Sequence, residues 1–375
     1  MRLIKFTELK GILALSGIAL IFATVYLGFR GTISEWIGRP ITLKDPITNK
    51  IVFVSDRGGQ PDLWIMDPDG SNQKALTNDA LVETSPAVSP DGLTIAYIGR
   101  DGSGNTEVYA VDADGTHRRR ITKITGAKSD LKFSPDGRRI IFLASGEVWQ
   151  VDKQGNHPKR LLPTEQEMAM QRFNDRRSAY IWADESPAGG VIAAIRNEDE
   201  GKMAVWLVPG EDVTQPIVDV VEQQQIPLIG ENACAAWATD EQRLAVTLTG
   251  RDDAGMLVVV DYESDTVNPI FGGSLLGAIE WSSNGSVVAV EHLKRVAADQ
   301  YDIIGLLIAD IATGETREIE GAVSHFKWSP DGETLVYSQD GDLYIVKANS
   351  NEEPVNLTKG KGRNTSPTWA PEAVR

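Results

Sequence analysis

Two short acidic turns, residues 67–70 (Asp-Pro-Asp-Gly) and 112–115 (Asp-Ala-Asp-Gly), come nearest to a metal-binding motif in this sequence. A Ca²⁺ loop needs six or more oxygen ligands, with a bidentate carboxylate further along the chain. Ser-Asn-Gln follows the first turn and Thr-His-Arg the second, so that carboxylate is missing. We interpret these aspartates as turn residues that bond their own backbone. The sequence predicts no metal site and no cofactor.

The histidines and the cysteine do not form a catalytic motif. The chain has four histidines and one cysteine. His117 and His157 follow equivalent turns in consecutive repeats, where we expect exposed side chains. No H-E-x-x-H sequence is present, and the single Cys234 cannot form C-x-x-C. We therefore predict no catalytic residues and interpret Cys234 as a small buried side chain.

Charged residues gather in loops of unequal length that we expect on one rim of the fold. Variable loops on a regular scaffold often carry binding residues. The candidates for a partner-binding surface are Asp56, Arg57, Arg100, Asp101, Arg196, Arg251 and Asp252. The alternative, that these are solvated loop charges, fits the sequence equally well.

Two sequence motifs would position these loops, and each recurs about every 45 residues. One is a Ser-Pro-Asp-Gly hairpin at residues 89–92, 134–137 and 329–332. The other is a half-alternating strand that ends in a turn, at residues 63–70 and 108–115. A fixed period of this length is typical of repeat architectures.

Seven units of four strands can be aligned between residues 49 and 371. The first strands end at Val88, Phe133, Trp182, Trp237, Trp281, Trp328 and Trp369. The sequence therefore predicts an all-β fold, a seven-bladed β-propeller of four-stranded blades. We expect its tryptophans to pack between blades. We also expect Glu280 to be the only acidic residue near the axis, which argues against a metal-dependent hydrolase.

The two ends of the repeat region predict how the ring closes. The first unit opens directly at its second strand, residues 50–53, and the chain ends on an unpaired first strand, residues 365–371. Unpaired strand edges promote aggregation. We therefore predict that these two segments pair and complete the seventh blade.

The stretch from Ser55 to Thr77, together with the Ser-Pro-Asp-Gly hairpins, resembles the WD-like repeat of TolB-type β-propellers. The resemblance covers residues 49–371 and implies a propeller. It weakens in three central units, where residues 183–184, 238–239 and 282–283 replace Ser-Pro. TolB itself has an additional N-terminal domain and six blades. The resemblance therefore does not carry over the role of TolB.

The N-terminal region predicts a membrane anchor. Residues 11–29 form an uncharged apolar run of 19 residues, about 28 Å long as a helix. Arg2, Lys5 and Lys10 precede it, which places the N-terminus in the cytoplasm. We predict a cytoplasmic tail (1–10), a single transmembrane helix (11–29), a spacer (30–48) and an extracytoplasmic propeller (49–371). A cleaved signal peptide is the alternative.

The expected function is a membrane-tethered platform in the cell envelope that binds another protein or a peptide. With 37 basic and 53 acidic residues the net charge is −16, which argues against nucleic acid as a partner. The alternatives are a propeller hydrolase, the remnant of a peptidase gating domain, and a sensor of small ligands or glycans. The sequence leaves the oligomeric state open.

Overall fold

The computed structural model describes residues 45–372 except 166, 169–178, 198–202, 210–233, 241, 250–254, 262–263, 265, 298–299 and 351. Pro46–Arg375 forms one compact unit. The predicted tail and transmembrane helix lie outside the described residues. Within the described part of the chain, no helix is long and apolar enough to cross a membrane.

The strands are numbered in chain order and grouped by sheet. The chain begins with β1 (Ile51–Ser55), β2 (Asp62–Met66) and β3 (Lys74–Ala75). Blade 1 consists of β4 (Val82–Val88), β5 (Thr94–Arg100), β6 (Thr106–Asp112) and β7 (Arg119–Arg120). Blade 2 consists of β8 (Lys128–Phe133), β9 (Arg139–Ala144), β10 (Glu147–Asp152) and β11 (Lys159–Leu162). A three-stranded sheet follows, with β12 (Ala179–Glu185), β13 (Val191–Asn197) and β14 (Met203–Pro209).

The second half of the chain continues the same pattern. Blade 3 consists of β15 (Cys234–Trp237), β16 (Arg243–Thr249), β17 (Gly255–Asp261) and β18 (Thr266–Gly272). Blade 4 consists of β19 (Leu275–Trp281), β20 (Val287–Ala297), β21 (Gln300–Asp310) and β22 (Thr316–Glu320). Blade 5 consists of β23 (Val323–Trp328), β24 (Thr334–Gln339), β25 (Asp342–Lys347) and β26 (Val355–Asn356). The last strand, β27 (Asn364–Trp369), joins the first three in the closing blade, in the order β27-β1-β2-β3.

These sheets form an all-β propeller. Every described strand pairing is antiparallel. The first strands contact one another in the cyclic order β4, β8, β12, β15, β19, β23, β27 and back to β4. Six sheets have all four strands, and the sheet of β12–β14 has three described strands. Among the described residues, six four-stranded blades are present, one fewer than the seven that the sequence predicts.

The core lies between neighbouring sheets. In β1, Ile51 and Phe53 pack with Val336 of blade 5, whereas Val52 and Val54 pack with residues of blade 1. Both faces of the strand are therefore buried, which explains its uninterrupted apolar sequence. Each such side chain contributes roughly 1.5–3 kcal/mol when fully buried.

The predicted closure of the ring is confirmed. Strand β27 pairs with β1 so that Ile51 lies opposite Trp369 and Ser55 opposite Asn364, with one bulge between them. The pairing extends beyond the strands, because the Ala370 N–H donates to the Lys50 carbonyl at 2.8 Å.

One element of the sequence alignment is wrong. The hairpin after β12 is Ser186-Pro187-Ala188-Gly189, with the Ser186 N–H bonded to the Val191 carbonyl at 2.8 Å. Ser89 makes the same bond to Thr94 at 2.8 Å. Glu185, rather than Trp182, therefore holds the last position of this first strand. This hairpin departs from the Ser-Pro-Asp-Gly motif because Ala188 replaces the aspartate.

We expect removal of Asn364–Arg375 to destabilise the ring. The truncation deletes β27 and reopens the edge of β1. Several backbone hydrogen bonds are lost at about 1 kcal/mol each, so the free energy of unfolding should fall by about 3 kcal/mol or more. Thermal and urea unfolding of the full and truncated chains measures this. Removal of residues 373–375 alone is the control and should change nothing. Equal stability of the two chains would disprove the closure.

Candidate functional site at the centre of the ring

Asp56 and Arg57 of the predicted rim surface hold the closing strand. The Arg363 N–H donates to the Asp56 carboxylate at 2.7 Å. The Arg57 guanidinium donates to the Asn364 side chain at 2.6 Å and lies over the Trp64 ring, 4.6 Å from its centroid. These contacts cross the junction of β27 and β1, so both residues contribute to ring closure.

Asp101 organises its own loop, and Arg100 is exposed. The Asp101 carboxylate accepts the backbone N–H of Ser103 at 2.9 Å and that of Asn105 at 3.0 Å. Hydrogen bonds from the Asn105 side chain and backbone lower the pKa of Asp101. Arg100 is exposed, and among the described residues of the rim set it alone has no side-chain contact that holds a strand or organises a loop.

Arg196 is committed to an ion pair. Its guanidinium lies 3.0 Å from the Glu167 carboxylate, and its side chain is only 13% exposed. The Tyr180 hydroxyl donates to the same carboxylate at 3.0 Å. Arg251 and Asp252 lie outside the described residues. A partner-binding role for the rim set stays a prediction.

Charged side chains from four inner strands stand at one repeat position, two residues before the hairpin serine or its equivalent. They are Lys132, Asp184, Glu280 and Lys327. The expectation that Glu280 is the only acid near the axis is therefore wrong. The sequence alignment placed the hairpin of the three-stranded sheet too early in the chain. With the hairpin at Ser186, Asp184 takes the same repeat position as Glu280.

Lys132 links two of the sheets. Its ammonium lies 3.3 Å from the carboxylates of both Asp130 and Asp184 and donates to the Ala183 carbonyl at 3.1 Å. It also lies 4.6 Å from the centroid of the Trp182 ring, within range of a cation–π contact. Burial opposes the charge on Lys132, but the two carboxylates outweigh it and raise the pKa. The lysine therefore stays protonated between them.

Asp130 owes its position to a bulge. The register of β8 against β9 shifts between Ser129 and Lys132, and Asp130 has a φ of 50°, which aspartate tolerates better than most residues. Its carboxylate accepts the Ala183 N–H at 2.9 Å. The bulge thus turns Asp130 towards the neighbouring sheet.

A second pair lies on blades 4 and 5. The Lys327 ammonium is 2.5 Å from the Glu280 carboxylate, and the side chains are 43% and 27% exposed. Nearby His325 also has a left-handed φ of 49°. Burial, and then the charge of Arg363, lower the pKa of His325.

Tryptophans fix the backbone at these charged positions. The indole N–H of Trp237 donates to the Asp184 carbonyl at 3.2 Å, and that of Trp328 to the Glu280 carbonyl at 3.2 Å. Trp369 donates to the Lys327 carbonyl at 3.1 Å. Each bond joins neighbouring sheets, which confirms that these tryptophans pack between them.

An ion pair replaces the tryptophan in the three-stranded sheet. Glu185 accepts two hydrogen bonds from the Arg139 guanidinium, at 2.9 and 3.2 Å. The Glu185 side chain is 2% exposed and that of Arg139 is 24% exposed. The contact joins blade 2 to the three-stranded sheet where other interfaces use an indole.

The centre of the ring presents charges that already have partners. No group of three or more His, Cys, Asp or Glu side chains converges on a metal position in the part of the chain that the structure describes. Between Asp130 and Asp184, the ammonium of Lys132 already supplies a positive charge. This arrangement suits polar recognition. The paired charges and the aromatic ring can replace their present contacts with contacts to an incoming polypeptide.

The acidic turn at residues 67–70 agrees in part with the sequence prediction. The Asp67 carboxylate accepts the Asn72 amide at 2.5 Å and contacts Lys50, and Asp69 accepts the Ser71 N–H at 2.9 Å. The hydrogen bond from Lys50, followed by that from Asn72, lowers the pKa of Asp67. The interpretation as a turn residue that bonds its own backbone is confirmed for Asp69, whereas the Asp67 carboxylate bonds neighbouring side chains.

The architecture places the protein in the class of β-propellers, and the comparisons refine that class. Residues 44–192 match the family model described as TolB beta propeller domain. A segment of 48 residues is 46% identical to a TolB homolog of Chlorobaculum tepidum, and covers 13% of this chain and 11% of that protein. A segment of 54 residues is 37% identical to a TolB homolog of Chlorobium chlorochromatii, and covers 14% and 12% respectively. The chain carries a TolB-like β-propeller, as its repeats predict.

Solved structures agree in fold. TolB from Acinetobacter baumannii has a TM-score of 0.51 at 19% identity, covering 90% of this chain and 70% of that one. An oligogalacturonate lyase in complex with manganese has a TM-score of 0.56 at 13% identity, covering 83% and 85%. At these identities the similarity is one of fold alone.

We expect Arg139→Met to destabilise the protein by about 3–5 kcal/mol, because it leaves the Glu185 charge buried without its partner. Urea unfolding measures the loss. Adding Glu185→Met should recover much of the stability, since no uncompensated charge then remains. Exposed Arg138→Met is the matched control, and a loss as large at Arg138 would refute the assignment.

We expect the Cys234 thiol to react slowly in the folded protein. Burial, and then nearby Glu291 and Asp130, raise the pKa of the thiol to about 12, so little thiolate exists at pH 8. A disulfide-exchange reagent should label folded protein at least ~100-fold more slowly than protein unfolded in guanidinium. Because the chain has one cysteine, the reaction reports this residue alone. Cys234 is half-buried, and comparable rates in both states would contradict the raised pKa of its thiol.

Proposed function

We propose that this protein is a membrane-tethered, extracytoplasmic propeller that binds another envelope protein or a peptide. In this proposal residues 11–29 form a single-pass anchor with the N-terminus in the cytoplasm. The sheet of β12–β14 serves as the seventh blade of the ring. The observation that carries the proposal is the set of paired charges on four inner strands.

The centre of the ring combines three features that suit a polypeptide ligand. It offers charges of both signs in Lys327 and Glu280, which remain partly exposed despite their ion pair. It offers the face of Trp182 with a lysine over it. It is also held rigid by indole hydrogen bonds to the main chain. A rigid site binds at a lower entropic cost than one that must be ordered first.

The same features argue for binding without catalysis. The carboxylates of Asp130, Asp184 and Glu280 each face a lysine, so they are poorly placed to act as general bases. TolB-like propellers bind envelope proteins, which agrees in kind with this proposal. The matched segments span only 11% and 12% of the curated relatives, so the role is inferred from this chain's own centre.

Recovery of a partner from native membranes tests the proposal. The full chain, tagged and cross-linked in cells, should sediment with membranes after a high-salt wash and enrich the same protein in replicate preparations. We expect Glu280→Ala/Lys327→Ala to reduce that recovery at least ~10-fold, a loss of about 1.4 kcal/mol or more of binding free energy.

The chain offers a matched control for this experiment. Lys347→Ala/Glu352→Ala removes another lysine–glutamate pair, 4.0 Å apart, whose side chains are 69% and 76% exposed. Recovery should be unchanged in that variant. Equal recovery with the central variant, or no reproducible partner, would count against the platform and favour an enzyme, a peptidase-gating remnant or a small-ligand or glycan sensor.

A further inference from the structure

A polar contact recurs inside three blades, where a backbone N–H near the start of the third strand donates to a threonine that follows the fourth strand. The Leu63 N–H donates to the Thr77 hydroxyl at 2.9 Å, and the Val108 N–H to the Thr122 hydroxyl at 2.9 Å. The two sites are 45 residues apart in sequence. They can therefore be compared position by position, one at the interface of the closing blade with blade 1 and the other at the interface of blades 1 and 2.

At the interface of blades 1 and 2, the site contains a buried cation. The Lys128 ammonium donates to the carbonyls of Gly126 at 2.7 Å and Thr106 at 3.1 Å, and also to that of Ile124. It lies 3.4 Å from the Glu107 carboxylate, and the Lys128 side chain is 1% exposed. Oxygen atoms thus surround the positive charge, and one of them is anionic.

At the closing-blade interface, the equivalent positions hold two acids and no cation. Glu83 stands in place of Lys128, and Asp62 in place of Glu107. Their residues are 0% and 2% exposed. The Glu83 N–H bonds to the Pro61 carbonyl at 3.0 Å, and the Leu63 N–H to the Glu83 carboxylate at 2.9 Å. Glu83 is therefore held on both sides of Asp62.

Each of these carboxylates keeps one oxygen buried without a partner. Within the described contacts, Asp62 Oδ1 and Glu83 Oε1 have no hydrogen-bond partner. A buried carboxylate oxygen without a partner is costly. Burial raises the pKa of Glu83 to about 7, although bonds from Thr77 and Leu63 oppose this shift, and nearby Asp79 and Asp62 add to it. The pocket therefore lacks a positive charge that its neighbour possesses.

We propose that a Ca²⁺ ion occupies this pocket, bound by Asp62 Oδ1 and Glu83 Oε1 where the next interface has a lysine ammonium. Two carboxylates balance a divalent charge. Ca²⁺ takes six to eight oxygen ligands in flexible geometry, including main-chain carbonyls. The segment 79–81 is equivalent in sequence to the one whose Ile124 and Gly126 carbonyls accept hydrogen bonds from Lys128, and in this proposal its carbonyls supply such ligands. Mg²⁺ fits less well because it retains its water shell.

The site links two blades at the point where the ring closes. Asp62 belongs to β2 of the closing blade and Glu83 to β4 of blade 1. A ligand that binds only the folded state raises its stability in proportion to the logarithm of its concentration. Calcium bound here would therefore hold the closing blade against blade 1, whereas the pairing of β27 with β1 holds the closing blade together.

Thermal unfolding of the full chain at pH 8, with EDTA or with 1 mM Ca²⁺, tests the site. We expect Ca²⁺ to raise the melting temperature of the wild type by several degrees, and equilibrium dialysis to find one bound ion per chain. Asp62→Asn and Glu83→Gln should abolish both effects. Glu107→Gln is the matched control in the neighbouring interface, and it should retain the Ca²⁺ response.

Glu83→Lys places a lysine where the neighbouring interface has Lys128. Its ammonium should pair with Asp62, so this variant should melt at the same temperature with EDTA and with Ca²⁺. The proposal is overturned if the wild type binds no Ca²⁺ in dialysis at pH 8, which would mean that a proton alone satisfies the pair. It is also overturned if Mg²⁺ or Na⁺ produces the same shift, or if the shift persists in Glu83→Lys. Should the variants not fold, dialysis of the wild type decides.

Discussion

The pairing of β27 with β1 is the constraint on which the rest of the structure depends. It makes β1 an internal strand of its sheet, with Ile51 opposite Trp369 on one side and Met66 on the other. Because β1 buries side chains on both faces, its position fixes the packing of two neighbouring blades. Asp56 and Arg57 reinforce the junction through contacts with Arg363 and Asn364. A ring held in this way needs no capping repeats, unlike a linear repeat array.

Repetition fixes where blades contact, and the residue at each position decides the chemistry of the contact. At the last position of the first strand, Trp237 bonds to a carbonyl of the preceding sheet, whereas Glu185 binds the Arg139 guanidinium. Trp281 occupies the same position, and its indole N–H has no partner among the described contacts. The Arg243 guanidinium lies over the Trp281 ring, 5.1 Å from its centroid. The same repeat position therefore supports a neutral hydrogen bond, an ion pair or a cation–π contact.

Local patterns predicted the fold better than they predicted the site. The Ser-Pro-Asp-Gly hairpins and the apolar strands were recognisable because turn chemistry and burial act over a few residues. The hairpin at Ser186 lacks the aspartate, so one strand was placed in the wrong register and Asp184 was missed. Arg57 bonds to a residue 307 positions away, a contact that no local pattern reveals. The acidic pair of Asp62 and Glu83 could have been noticed by aligning it with Glu107 and Lys128.

Buried acids need a positive charge nearby, and the centre of the ring and the pocket of Asp62 and Glu83 meet this need in different ways. At the centre, lysines already neutralise the acids, and the pair of Lys327 and Glu280 stays partly open to solvent. Water screens such a pair, so its partners can be exchanged for those of a ligand at little cost. Between the closing blade and blade 1, Asp62 and Glu83 are sealed from solvent, and repulsion between them is screened far less. The ion pairs at the centre can therefore exchange their partners for those of a ligand, whereas the interface pocket requires a bound positive charge.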